Sequence, residues 1–363
     1  MKTNRGIRLS VQTTGLPDRP ITRSLLVAFL ALSPTPAARS DLSFPRDHGS
    51  HADAAVEWWY YTGHLTDASK REYGFQLTFF KVRDLHFAHF GWTDVDKGTF
   101  QYQEKSHLGL PGIASAAPDR LDVTNEDWSA SESNGKQRLH ARGAAGTLDL
   151  ELSPQKPPLL QGERGISRKG PDPNEYSHYV SITRLAASGE IQRAGRRQKL
   201  TGTAWFDHEW GPGALPRNAR GWDWFAVQLD DGSDLMLYRL RTETGEATPF
   251  SAGAFSPREG APRTIRWSEL RLDETAFWKS ARSGARYPSR WRIAVANLGL
   301  ELEIEPQAAD QELVTEQSTG VVYWEGTCRV TGKRGGNPVT GRAYVELTGY
   351  ARRDVPGFGT GVR

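Results

Sequence analysis

Two short stretches concentrate ionisable and aromatic side chains. Residues 205–211 read WFDHEWG, and residues 56–61 read VEWWYY. An imidazole titrates near neutral pH and can give or take a proton. Indole faces attract a cation through the ring quadrupole. Together these suit acid–base chemistry in which a proton is delivered, a developing cation is tolerated and water is guided to it. His208 is the expected acid, with Asp223 or Tyr238 orienting the water. Trp210, Trp224 and Trp59 are expected around the cation, and Glu57, Trp58, Tyr60 and Gln76 as further ligand contacts.

Strand geometry orders these groups, because side chains two apart share a face. Asp207 and Glu209 then point one way, and His208 and Trp210 the other. Two buried carboxylates are costly without cations, so the imidazole–indole pair is the expected cavity face. Asp207 and Glu209 become partners of neighbouring basic groups behind it. A structural alternative stands beside this: His208 as a core histidine satisfied by Asp223, Trp58 and Trp224 as packing indoles, and Glu57 paired with an arginine.

The elements that must position these residues read as strands. YGFQLTFFKV (73–82) and LMLYRLR (235–241) follow the turn sequences TDASK and DDGSD, a hairpin signal. Further strands are predicted at 178–185, 290–296, 300–306, 323–332 and 342–350, the last two joined across KRGGNPVTG. ADQELVTEQ (309–317) is the best candidate for a short helix. The architecture is therefore all-β, a sandwich or barrel.

EWWYYTGHLTD followed by YGFQLTFF also echoes WDWFAVQLDDG followed by LMLYRL. Such a repeat predicts two related β-domains. The boundary is expected near residue 200, after the polar stretch 186–200, giving segments 41–199 and 200–352 with a tail at 353–363.

The chain has 363 residues with 46 basic and 43 acidic side chains, no concentrated basic stripe and no phosphate-binding glycine loop. This excludes an ordinary nucleic-acid binder. Basic residues, then LLVAFLAL (25–32), then small residues to Ala37 and Ala38 read as a cleavable signal peptide over 1–38. Periplasmic or secreted location is expected, without a stable membrane anchor. The single cysteine, Cys328, is expected to be a buried thiol. His208–Trp210 lacks the second histidine of a helical H-E-x-x-H site, and neither a metal nor a cofactor is expected.

VEWWYYTGHL with YGFQLTFF, GTAWFDHEWGPG, GWDWFAVQLDDG, YWEG and YVELTGY together resemble the AttH-like and carotenoid 1,2-hydratase-like family of lipocalin-like proteins, in order over roughly residues 50–352. The resemblance implies two consecutive calycin-like (lipocalin-like) antiparallel β-barrels, export in many members, and a ligand cavity associated with the barrels and their contact. For function it implies a relative of hydratases acting on polyene substrates, of fungal cyclases or of secreted hydrolases. The hydratases carry a carboxylate close after the tyrosine that Tyr238 matches, whereas Arg239 and Leu240 stand here, and arginine does not give up its proton. Two classes follow: a cofactor-free acid–base enzyme on an apolar unsaturated substrate, isoprenoid- or lipid-like, or a periplasmic carrier of a hydrophobic small molecule.

Overall fold

The structure, a computed structural model, describes residues 42–351 other than 214 and 217. The expected signal peptide at 1–38 and the tail at 353–363 lie outside the described residues. The described chain forms two antiparallel sheets of thirteen and ten strands, each curled into a barrel-like wall, with single turns of 3-10 helix between strands. ADQELVTEQ does not become a helix. Its centre forms the strand Glu312–Val314 against Val322–Arg334, and Leu313 is fully buried there. Ladder pairing and burial outweigh a weak local preference.

The sequence echo has a topological counterpart. Each sheet opens with a Trp-rich strand that pairs both with its hairpin partner and with the last strand of the same sheet. Val56–Asp67 lies between Glu72–Val82 and Arg196–Gly211. Ala219–Leu229 lies between Asp234–Thr242 and Asn337–Leu347.

The change of sheet falls later than residue 200. Tyr176–Arg193 and Arg196–Gly211 are one long hairpin, so WFDHEWG closes the first sheet instead of opening the second. The basic run that resembled a boundary is the hairpin tip. Ala194 and Gly195, both left-handed at φ 45° and 75°, make the two-residue reversal that matches strand twist. Gly335 and Gly336, at φ 57° and 82°, do the same in the expected hairpin after residue 332.

Most of the site-bearing strands are buried on both faces. In Val56–Asp67, Trp59 and Tyr61 fill the first barrel with Phe75, Leu77 and Phe206. Phe225, Val227, Leu237, Trp291 and the buried thiol of Cys328 fill the second. Between the barrels lies a third, aromatic layer made by the opposite faces of the same strands, with Tyr60, Tyr179, Trp205, Trp224, Tyr238 and Tyr344. The walls come close enough that a Cβ on Gly74 would stand 2.8 Å from the Thr327 side chain. Polar clamps cross the contact: Arg342 with Glu72, Arg184 with Asp234 at 2.6 Å, and the His64 ring with the Thr327 hydroxyl at 2.9 Å.

Candidate functional site

The two patches do converge, as adjacent antiparallel strands in one sheet. Tyr60 is opposite Asp207, Trp58 opposite Glu209, and Trp59 opposite His208. The alternation predicted for WFDHEWG holds, but the faces are exchanged. Asp207 and Glu209 face the layer between the barrels, where a cavity of about 140 Å³ opens. His208 faces the interior of the first barrel.

His208 is fully buried, with its ring stacked on Trp59 at 4.9 Å and tilted against Trp210 at 4.5 Å. Its Nδ1 points at the Asp47 carbonyl at 3.1 Å and therefore carries a proton. Its Nε2 stands 3.0 Å from Glu57 Oε1, a hydrogen bond that requires a second proton between them. Burial pulls the His208 pKa down, and Glu57 opposes that shift.

Burial works against ionisation of Glu57, but hydrogen bonds from His208 and His51 outweigh it and hold its carboxylate well below the usual range. The backbone N–H of His51, the Ser50 hydroxyl at 2.9 Å and the Lys81 ammonium at 3.3 Å complete its shell. His51, Glu57 and His208 have the donor atoms for a metal, within 4.8 Å of one another. Lys81 already supplies a cation to that carboxylate, so the trio reads as a buried polar lock. The segment around His48 and His51 is the packed cap of this lock, with His48 itself buried.

The other expected site residues divide between wall and core. Trp58, Tyr60, Trp210, Trp224 and Tyr238 border the cavity. Trp59 belongs to the first core. Gln76, opposite Thr62, is buried and accepts from the Thr78 hydroxyl at 3.0 Å. Asp223 lies away from the cavity, bound by Arg239 and by Arg241 Nε at 2.9 Å, so it neither orients water in the cavity nor satisfies His208.

The cavity walls are aromatic, and four carboxyl groups face it: Asp207, Glu209, Glu325 and Glu346. Glu209 is paired with the Lys169 ammonium at 2.8 Å and accepts from the Ser177 hydroxyl. Burial alone would lower the Lys169 pKa, but the Glu209 carboxylate raises it above its ordinary value. Lys169 also stands 4.5 Å over the Tyr238 ring. Asp207 accepts from the Tyr179 hydroxyl at 2.5 Å and the Trp205 indole at 2.7 Å. Burial nonetheless raises its pKa to about 7, against those hydrogen bonds. The expectation that paired carboxylates would avoid the cavity fails because Lys169, Tyr179, Ser177 and Trp205 supply cation and donors.

Glu325 and Glu346 form the least expected part of the site. They are directly opposed on adjacent strands of the second sheet, a register that disfavours like charges. Glu346 Oε2 accepts from the Trp222 indole at 3.0 Å, while burial raises its pKa to about 7. Burial, with Glu346 adding repulsion, holds Glu325 well above the carboxylate range. Glu325 Oε1 has no hydrogen-bond partner among the described residues; the Tyr60 hydroxyl lies toward it without closing a well-formed bond. Nearby, His89 of the first sheet meets the Tyr323 hydroxyl at 2.7 Å and the Ser318 hydroxyl at 2.8 Å, fixing the two walls together. The glutamates of YWEG and YVELTGY carry no signal in the sequence, because only the strand register opposes them. Lys169 sits beyond a short strand in a loop that carries no periodic signal.

Known structures share this frame. A protein assigned as an AttH from Nitrosomonas europaea is 37% identical, covering 88% of this chain and 100% of its own, with a TM-score of 0.81. Kievitone hydratase from Nectria haematococca is 15% identical, covering 83% of this chain and 91% of its own, with a TM-score of 0.69. CghA bound to Sch210972 is 13% identical, covering 83% and 90%, with a TM-score of 0.54. These last two likenesses are of fold alone. Among curated proteins none matches. The AttH-like family model matches residues 35–350, and the chain belongs to the AttH-like family.

Proposed function

We propose that this chain is an exported, cofactor-free acid–base catalyst that adds water to an apolar unsaturated substrate, isoprenoid- or lipid-like, held between the barrels. The observation that carries the reading is the opposed Glu325–Glu346 pair in an aromatic cavity. Two opposed carboxyls in a low-dielectric cavity resist ionising together, so one serves as acid while the other serves as base. The Glu325 carboxyl, held in its acid form, gives its proton to one alkene carbon. The π electrons form the new C–H bond and leave a cation on the next carbon.

Indole and phenol faces of Trp58, Trp224 and Tyr60 are placed to stabilise that charge. Glu346 takes a proton from water as the water oxygen forms the C–O bond. Passing that proton to Glu325 resets the pair, and the net change is addition of one water. His208 takes the structural role in this scheme that the sequence had offered as its alternative.

The test is incubation of the purified protein with a panel of unsaturated isoprenoids and lipids in ¹⁸O-labelled water, with products followed by mass spectrometry. Labelled hydrated product that disappears in Glu325→Gln is expected. Retention of a co-purified ligand with no product from any panel member would replace the enzyme by a carrier. Export rests on the leader pattern, and N-terminal sequencing of protein from the native host should find cleavage near Ala37 or Ala38.

A further inference from the structure

The cavity holds more carboxyl groups than cations. Four carboxyls face it, and among its lining residues the lysine, Lys169, is held by Glu209. Asp207 has neutral donors from Tyr179 and Trp205, and Glu346 has the neutral Trp222 indole. Glu325 Oε1 and the Tyr60 hydroxyl are buried, border the cavity and have no partner among the described residues. A buried carboxyl oxygen gains from a donor that reaches it, and this corner opens onto the cavity from which one can enter.

Aromatic faces surround the same corner. Tyr60 and Trp224 meet edge to face at 5.0 Å, Trp222 reaches Glu346, and Trp58 lies beyond Tyr60 on the same face of its strand. Unpaired carboxyl oxygen with indole and phenol faces is the chemistry that receives an organic ammonium. It is also chemistry that repels a carboxylate head, the group many lipid carriers select.

We infer that the cavity selects amphiphiles whose head is a cationic nitrogen, seating the ammonium at Glu325, Glu346 and Tyr60 and the hydrocarbon tail along the aromatic wall. The inference rests on the cavity being the ligand site, and it names the ligand class of that site. The ammonium neutralises the pair in place of the Glu325 carboxyl proton, so binding releases a proton to solvent. The same placement suits the proposed reaction, in which positive charge develops beside this pair.

The probes are decylammonium, decan-1-ol and decanoate, each below its critical micelle concentration, titrated into the purified full chain with tryptophan fluorescence and calorimetry as readouts. Decylammonium should bind about tenfold or more tighter than decan-1-ol, and decanoate weakest. Calorimetric heats for decylammonium should vary with buffer ionisation heat, reporting the released proton. Glu325→Gln and Glu346→Gln should each erase most of the ammonium preference while decan-1-ol affinity changes less than about twofold, which also shows that the variants are folded.

Equal or tighter binding of decan-1-ol to the wild type overturns the inference and leaves the ligand cavity standing. An ammonium preference that survives both variants overturns it as well. Failure of all three probes to bind takes down the inference and the ligand-site reading together.

Discussion

Replacing Glu346 by glutamine should stabilise the protein, and only where the wild-type carboxyl is asked to ionise. Glu346 is half-buried in the second sheet, opposite Glu325, with its pKa raised from 4.5 to about 7 by its low-dielectric surroundings. An acid whose folded pKa is raised binds more protons in the native state than in the unfolded state between those two values. Its contribution is therefore fully present below about pH 4.5 and is lost as pH rises toward 7. At about 1.4 kcal/mol per pH unit, the carboxyl costs the native state about 3 kcal/mol above pH 7. Glutamine is neutral at every pH, keeps an oxygen for the Trp222 indole, and removes the repulsion felt by Glu325. Urea unfolding of wild type and Glu346→Gln should give nearly equal stabilities close to pH 4.5 and a gain of about 3 kcal/mol for the variant near pH 8.5. A variant that is less stable at the higher pH, or whose advantage is the same at both, would refute the assignment of Glu346 as a proton-retaining acid.

Two further outcomes follow from the polar core. His208→Gln should lose about 3 kcal/mol, because it breaks a buried charge-assisted hydrogen bond and the ring stacking on Trp59 and Trp210. Ligand retention per folded molecule should stay unchanged, so a loss of retention without a fall in melting temperature would restore His208 to the site. His48, His64 and His89 have pKa values lowered by burial from 6.5 to about 3. The unfolded state binds their protons first, so their contribution to stability is complete above about pH 6.5 and drains away as pH falls toward 3. Unfolding free energies of His64→Gln and His89→Gln should accordingly vary less with pH across that window than wild type.

Which residues meet was more legible in the sequence than which way they face. The alternation of WFDHEWG was readable, and so was its convergence with VEWWYY. The inward face was misjudged because Val56–Asp67 and Arg196–Gly211 are buried on both sides where they meet, and a strand with two buried faces carries no hydrophobic contrast to orient it. The polar stretch 186–200 reads as a boundary although it carries the hairpin tip at Ala194–Gly195, since a two-residue hairpin and a domain boundary share the same polar composition. The Glu325–Glu346 pair was hidden for a different reason: both residues were in plain view, and only the strand register makes them neighbours. The cap over Glu57 and the placement of Lys169 depend on loops, whose path no periodicity encodes.

The pairing of first and last strands within each sheet sets an order of assembly. Val56–Asp67 must wait for Arg196–Gly211 before the first sheet closes, and Ala219–Leu229 must wait for Asn337–Leu347. Such distant partners make closure a slow, entropy-limited step. A chain emerging from its amino end can complete the first wall, with Asp207 and Glu209 in place, while the second is still open. Glu325 and Glu346 arrive on the final two strands, so the acid pair is assembled last. Until then the aromatic face of the first wall, from Trp58 to Trp205, has nothing to cover it and is an exposed sticky surface. The interval between the two closures is the stage at which a helper that shields apolar surface would be needed.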